Sequence, residues 1–266
     1  MTQLQVLELF AGELRRLRSG AGLSQEALAE KIRYSASLVA AIEQGRRAPR
    51  QDFAQKCDEA LSTGGLLLRI REATVRETLV PWFREWAGIE RDARALRSFQ
   101  PLVLPGLFQT PAYAHALCAT GSPLPADQVE QIVASRIERQ EVLGRTPPPL
   151  LVAVIDYTVL ERPIGGPETM RTQLLRLVEL AERPNIHIHV VPKNVGGYTG
   201  LSGPFVIASP FEGKDLAYLD NQIRGMVVDQ PTEVGLLNEA WEAVRSEALP
   251  QQQTLAMISE AANQWT

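Results

Sequence analysis

The sequence predicts a mainly α-helical protein with a smaller α/β part: an N-terminal helical bundle built on a helix-turn-helix, then a C-terminal α+β domain. Three observations predict it. Apolar residues recur at helical spacing through roughly the first 70 residues, with serines and glycines at the helix ends. The period shortens to that of strands at LLVAVIDYTVL (150–160) and again at NIHIHVVP. From Pro231 onward the helical spacing returns.

The spacing predicts a helix over 4–19, with Leu7, Phe10, Leu14 and Leu17 on one face and Arg15, Arg16 and Arg18 on the other. Gly20 and Gly22 end it. Two short helices then fill Gly22–Arg50, with Leu23, Leu28, Ile32, Leu38, Val39 and Ile42 facing inward. Ser24 and Ser35 stand where a hydroxyl can accept from the orphan N–H groups of a first turn, and Gly45 suits a left-handed cap. Arg46, Arg47 and Arg50 follow, around Pro49. A fourth helix carries Phe53, Cys57 and Leu61, and a fifth, over 66–79, carries Leu67, Ile70 and Val75. Residues 1–72 therefore form one domain of four or five helices, and 73–98 a helical connector.

Residues 80–118 hold Trp82, Phe83, Trp86 and Phe99 with Pro101, Pro105 and Pro111. They predict a helix to about Ala95, an extended piece, then a short helix opened by Thr110 and Pro111. Residues 125–143 form an amphipathic helix. The C-terminal domain, 99–266, continues with a strand over 150–160, a Gly-Gly turn, and a helix through Met170, Leu174, Leu177 and Leu180. A strand with His187 and His189 on its outer face follows, then short strands at GPFVIASP, DLAYLDN and IRGMVV, and two closing helices.

Net charge is -4, which taken alone argues against a nucleic-acid binder. The charge is uneven: residues 1–72 hold 11 basic against 9 acidic side chains, the remainder 16 against 22. A positive field must therefore come from local clustering of arginines. Cys57 and Cys118 are too few and too far apart for a disulfide framework or a zinc site, and read as apolar buried residues. Glu8 and Glu13 interrupt the apolar start, no run reaches ~18 apolar residues, and a cytoplasmic protein is expected.

The helical N-terminus carries L-R-x-L-R-x-x-A-G-L-S-Q, then L-A, S-x-S and I-E-x-G-x-R-x-P, over about residues 10–62. It closely resembles the Cro/phage-repressor-like (XRE) helix-turn-helix regulators. That resemblance implies binding of double-stranded DNA, with Gln25 bracing a phosphate and a recognition helix beginning at Ser35. Its outward residues would be Ser35, Ala36, Ser37, Ala40 and Ala41, ending at Gln44. Three are alanines, which reach a thymine methyl but make no bidentate base contact. Specificity then leans on Ser37, Gln44, Arg46, Arg47, dimer spacing and DNA shape. The plainer reading of the arginines alone is a solvated face. A single helix-turn-helix reads a short half-site, so a homodimer is expected.

The second half carries L-R-S-F-Q-P-x-x-L-P-G-L-x-Q-T-x-x-Y-A, then R-x-x-R-Q-x-x-L, then R-P-I-G-G-P-x-x-M and E-L-A-x-R-P-N-I. It resembles, over about 78–263, the C-terminal domain of a group of actinomycete XRE regulators described as antitoxin-like. The resemblance implies a small partner protein encoded beside the regulator.

Nothing points to catalysis: GLSGP around Ser202 is not a nucleophile elbow, and neither a phosphate loop nor a dinucleotide fingerprint is present. No enzyme activity, cofactor or metal is expected. Gly165-Gly166 reads as a plain turn rather than an anion site, and His187 and His189 lack further metal ligands. Trp82, Phe83, Trp86, Phe99 and Tyr113 have two readings: core and interdomain packing, or a groove for a partner protein or small-molecule effector. Arg136, with Arg139 and Gln140 on one helical face, reads as solvated or salt-bridged, or as lining such a site. Membrane contact is not expected.

Overall fold

The computed structural model describes residues 3–78, 81–121, 125–221 and 223–265. The chain is mainly α with a smaller α/β part, as expected, and divides into two compact units, Met1–Val80 and Pro81–Thr266.

The first unit is five helices: α1 (Gln3–Gly20), α2 (Gln25–Ile32), α3 (Ala36–Glu43), α4 (Gln51–Leu61) and α5 (Leu66–Thr78). Phe10, Leu14, Leu28, Ile32, Val39, Ile42, Phe53, Cys57 and Leu67 close one core, each 0–2% exposed. Full burial of such a side chain contributes about 1.5–3 kcal/mol, so this small bundle has a core of its own. Asp58 caps α5, accepting from the N–H groups of Leu67 (2.9 Å) and Leu68 (2.8 Å). The side chain of Val75 lies outside the described residues.

The second unit begins with α6 (Pro81–Asp92) and β1 (Ala95–Gln100), so the expected 73–98 connector does not stand apart: its second half belongs to this unit. A one-turn helix at Gly106–Phe108, α7 (Pro111–Gly121), α8 (Ala126–Arg139) and β2 (Leu150–Asp156) follow. The strand-type run of 150–160 is shorter than expected, because it turns into α9 (Thr158–Glu161) where Asp156 accepts from the N–H and hydroxyl of Thr158. Then come α10 (Pro167–Leu180), β3 (Ile186–Val191), β4 (Phe205–Ser209), β5 (Leu216–Asp220), β6 (Gly225–Val228), α11 (Pro231–Ser246) and α12 (Gln251–Gln264).

The six strands make one mixed sheet, ordered β3-β2-β1-β4-β5-β6. β1, β2 and β3 are parallel; β4, β5 and β6 run antiparallel to their neighbours. β1, the extended piece of the sequence reading, is a central strand. On one face Leu96, Leu151, Ala153, Ile155, Ile186 and Ile188 pack with Trp86, Leu174, Leu177 and Ile258. On the other, Phe99, Val152, Val154 and Ile207 pack with Val234, Trp241 and Val244 of α11. β2 is buried on both sides, which explains its nearly unbroken apolar run. Arg97 on β1 is tolerated in a central strand because both its terminal nitrogens are engaged: it donates to Asn238 Oδ1 (2.7 Å) and Ser209 Oγ (3.1 Å) and pairs with Asp215.

Candidate nucleic-acid interface

α2 and α3 are set by local chemistry. Ser24 Oγ accepts from the Ala27 N–H at 3.1 Å and Ser35 Oγ from the Leu38 N–H at 3.2 Å, so both serines cap as expected. The turn between the helices passes through Arg33 at φ 59, a left-handed conformation that costs a non-glycine residue energy. α3 ends in a two-bond cap: the Arg46 N–H donates to Ala41 O (2.9 Å) and the Gly45 N–H to Ile42 O (3.0 Å), with Gly45 at φ 67. That geometry fixes where Arg46, Arg47 and Arg50 leave the helix, all three exposed.

Beneath this surface lies a charged brace the sequence reading missed. Glu43, 2% exposed, accepts from Arg18 Nε (2.6 Å) and Nη2 (3.0 Å) and from Gln25 Nε2 (2.7 Å). Arg18 also donates to Leu23 O at 2.6 Å, and Arg15 to the backbone oxygen of Glu43 at 2.7 Å. The hydrogen bonds to Glu43 hold the Arg18 guanidinium above its ordinary pKa. One brace thus joins α1, the start of α2 and the end of α3. Gln25, expected to brace a phosphate, is partly buried and directs an amide N–H at Glu43. The signal was there: Ala36, Val39 and Glu43 fall on one helical row.

Ala36 is half-buried and one side of it packs against the core. Ser35, Ser37 and Gln44 are exposed, and Ala40 and Ala41 partly so. Ser35 and Ser37 share a hydroxyl contact of 3.1 Å, and Ser35 already accepts from Leu38, so Ser37 and Gln44 are the polar groups left to meet a base edge. Next to this face, Tyr34 donates to Asp52, packs edge-on to Phe53 (5.3 Å) and carries Lys56 at 5.1 Å. The bond to Asp52, with burial second, pushes the Tyr34 phenol up to about 12.

In the second unit the described aromatic candidates are built into packed layers. Trp86 is 1% exposed and stacks on Tyr218 at 5.3 Å; its indole donates to Glu90. Phe83 meets Tyr218 edge-on and carries Arg139 at 4.6 Å. Tyr113 is wholly buried and accepts from the Leu104 N–H at 3.3 Å. Phe99 lies in the core of the opposite sheet face. The Trp82 side chain lies outside the described residues. Packing is therefore the role of Trp86, Phe99 and Tyr113, because each ring fills a core layer.

Arg136 is different: partly buried, it donates to Gln109 Oε1 at 2.9 Å. The buried segment around it is held by amide side chains. Gln109 donates to Leu104 O, Gln140 to Gly106 O and Gln109 O, and Gln173 to Phe108 O while accepting from the Thr110 N–H. These satisfy a loop that would otherwise bury free backbone groups. His187 and His189 are occupied by Gln251 Oε1 (2.8 Å) and Leu249 O (2.9 Å), and burial lowers the His189 pKa. Gly165 is a packing glycine, with φ 74 and Ala116 Cβ 2.9 Å from where its own Cβ would stand. Among the described residues no helix is long and apolar enough to cross a membrane.

Residues 83–260 match the family model described as a domain of unknown function (DUF5753), and residues 9–69 match a helix-turn-helix domain. No curated protein and no solved structure matches the chain.

Proposed function

The chain belongs to the DUF5753 family and carries a helix-turn-helix DNA-binding domain ahead of it, and from that premise we propose that it is a cytoplasmic, sequence-specific transcriptional regulator of the XRE type. It binds duplex DNA as a homodimer. Its C-terminal domain is antitoxin-like and non-enzymatic, and takes a small partner protein encoded beside it. The observation that carries the DNA reading is α3 itself, capped at both ends and followed by exposed Arg46, Arg47 and Arg50. Capped ends hold a short helix rigid for insertion into a groove, and the arginines supply the phosphate contacts that position it.

A second reading, in which the C-terminal domain senses a small-molecule effector, is supported by Arg136, a partly buried cation that donates to the neutral amide oxygen of Gln109. Fluorescence titration of labelled duplexes from upstream of the gene and its neighbour, at low salt, tests the main reading. Saturable binding of two protomers per site is expected; a flat titration defeats it. Co-purification of a small protein with the full chain favours the partner reading over the effector reading.

A further inference from the structure

α3 is followed by exposed arginines, and a further positive group stands at its other end. Tyr34 is the residue before the Ser35 cap, so its ring lies at the start of α3. Lys56, exposed on α4, holds its Nζ 5.1 Å from the centre of that ring. The ring is fixed on two sides. It packs edge-on to the core residue Phe53 at 5.3 Å, and its hydroxyl donates to Asp52. An ammonium within ~6 Å of a tyrosine ring centre is attracted by the ring's negative face.

Asp52 stands one helical turn before Lys56 on α4, the spacing at which a carboxylate and a lysine ordinarily pair. Here the carboxylate takes the phenol instead, and among the described residues Lys56 enters no ion pair. The lysine is left with an uncompensated charge and a set direction. A lysine free to rotate loses rotamer freedom when it grips a partner. One already laid on a ring loses less, which is the advantage of a preorganised contact. A lysine that served only helix stability would gain nothing from being parted from its acid.

We propose that Lys56 is a contact to the DNA backbone and that Tyr34 and Asp52 are its positioning residues. The phenol occupies the carboxylate, and the ring aims the ammonium at a phosphate beside the start of α3. The contact rests on the DNA reading of α3 and extends it to a residue outside α2 and α3. α3 has eight residues, about 12 Å of helix and close to the width of the major groove. Cations at its two ends, Lys56 at the first and Arg46 and Arg47 at the last, therefore meet separate phosphates. A phosphate contact carries no sequence information, so Lys56 fixes the register and orientation of α3 rather than choosing bases.

The test uses the full chain, a labelled duplex from upstream of the gene and a duplex of the same length and random sequence, titrated from low to physiological salt. Lys56→Gln should weaken binding to both alike and lower the slope of log K against log salt by about 1, with Tm unchanged at this exposed position. Tyr34→Phe keeps the ring but releases Asp52, which then pairs with Lys56 one turn away. Its affinity should fall toward that of Lys56→Gln. Asp52→Asn should recover the loss. Its gain should be larger in Tyr34→Phe than in wild type, where the phenol already holds the carboxylate; general repulsion between Asp52 and DNA is the same in both backgrounds and cancels in the cycle. The proposal is overturned if Lys56→Gln keeps the wild-type slope, or if Asp52→Asn gains equally in both backgrounds. If Tyr34→Phe fails to fold, the slope of Lys56→Gln decides alone. A flat wild-type titration removes the DNA reading itself. Saturable wild-type binding with an unchanged slope in Lys56→Gln removes this contact and leaves the regulator.

Discussion

Glu43 receives Arg18 on both carboxylate oxygens, Nε to Oε1 at 2.6 Å and Nη2 to Oε2 at 3.0 Å, with the glutamate side chain wholly out of water. The pair connects α1 to the last residue of α3, so the orientation of α3 is set from inside the bundle. Glu43→Ala leaves a guanidinium partly buried with no counter-charge, and Gln25 without its acceptor. Removing one partner of such a pair costs about 3–5 kcal/mol. Hydrogen exchange read by mass spectrometry is expected to show α2 and α3 losing protection, and DNA affinity should fall with it. Arg18→Met with Glu43→Leu should restore much of the protection, since a buried pair replaced by apolar groups is often neutral. Equal protection in Glu43→Ala and wild type would show the brace to be inert.

Arg46 and Arg47 follow the α3 cap and are exposed. If each meets a phosphate, Arg46→Ala with Arg47→Ala weakens binding to every sequence alike and lowers the slope of log K against log salt by about 2. Measurement from low to physiological salt checks it. A slope equal to that of wild type means the arginines only face solvent.

The Tyr34 phenol, held up to about 12 by its bond to Asp52, makes a pH prediction. The raised pKa means that the folded state favours the neutral phenol. Its contribution to stability is fully present below the ordinary tyrosine value of ~10 and is lost as pH rises from there through about 12. Alkaline difference absorbance should show one tyrosine titrating near 12 that vanishes in Tyr34→Phe. That variant should also lose less stability than wild type between pH 10 and 12.

Gln173 is wholly buried on α10 and serves both the Phe108 carbonyl (2.9 Å) and the Thr110 N–H (2.6 Å). Gln173→Leu keeps the volume and strands both groups, at about 1–3 kcal/mol each. Urea unfolding followed by tryptophan fluorescence should detect it, because Trp86 and Trp241 lie in the cores of this unit. A midpoint within error of wild type would mean that water replaces the amide at no cost.

What the sequence made legible was local. Ser24, Ser35 and Gly45 act within a few residues of where they stand, and the helix-turn-helix followed from them. β1 was read only as an extended piece because ALRSFQ lacks the apolar run of a central strand; Arg97 is tolerated there through Asn238, Ser209 and Asp215, which lie more than a hundred residues further on. Glu43 drew no reading from the sequence because its partners Arg18 and Gln25 lie in other helices. The aromatic stretch showed its bulk but not its direction: Trp86 and Phe99 turn to opposite faces of one sheet, and residue type alone does not say which.

The position of β1 has a consequence for synthesis. Ala95 pairs with Leu150 on one side and Ser209 on the other. The strand made first is central, and its two sides close only after long stretches of chain have emerged. Such distant pairings slow folding, whereas a helical bundle closes through near neighbours. On the ribosome all of the helix-turn-helix unit has emerged while the sheet still waits for its fourth strand, so the first unit can close before the second has its central strand paired on both sides.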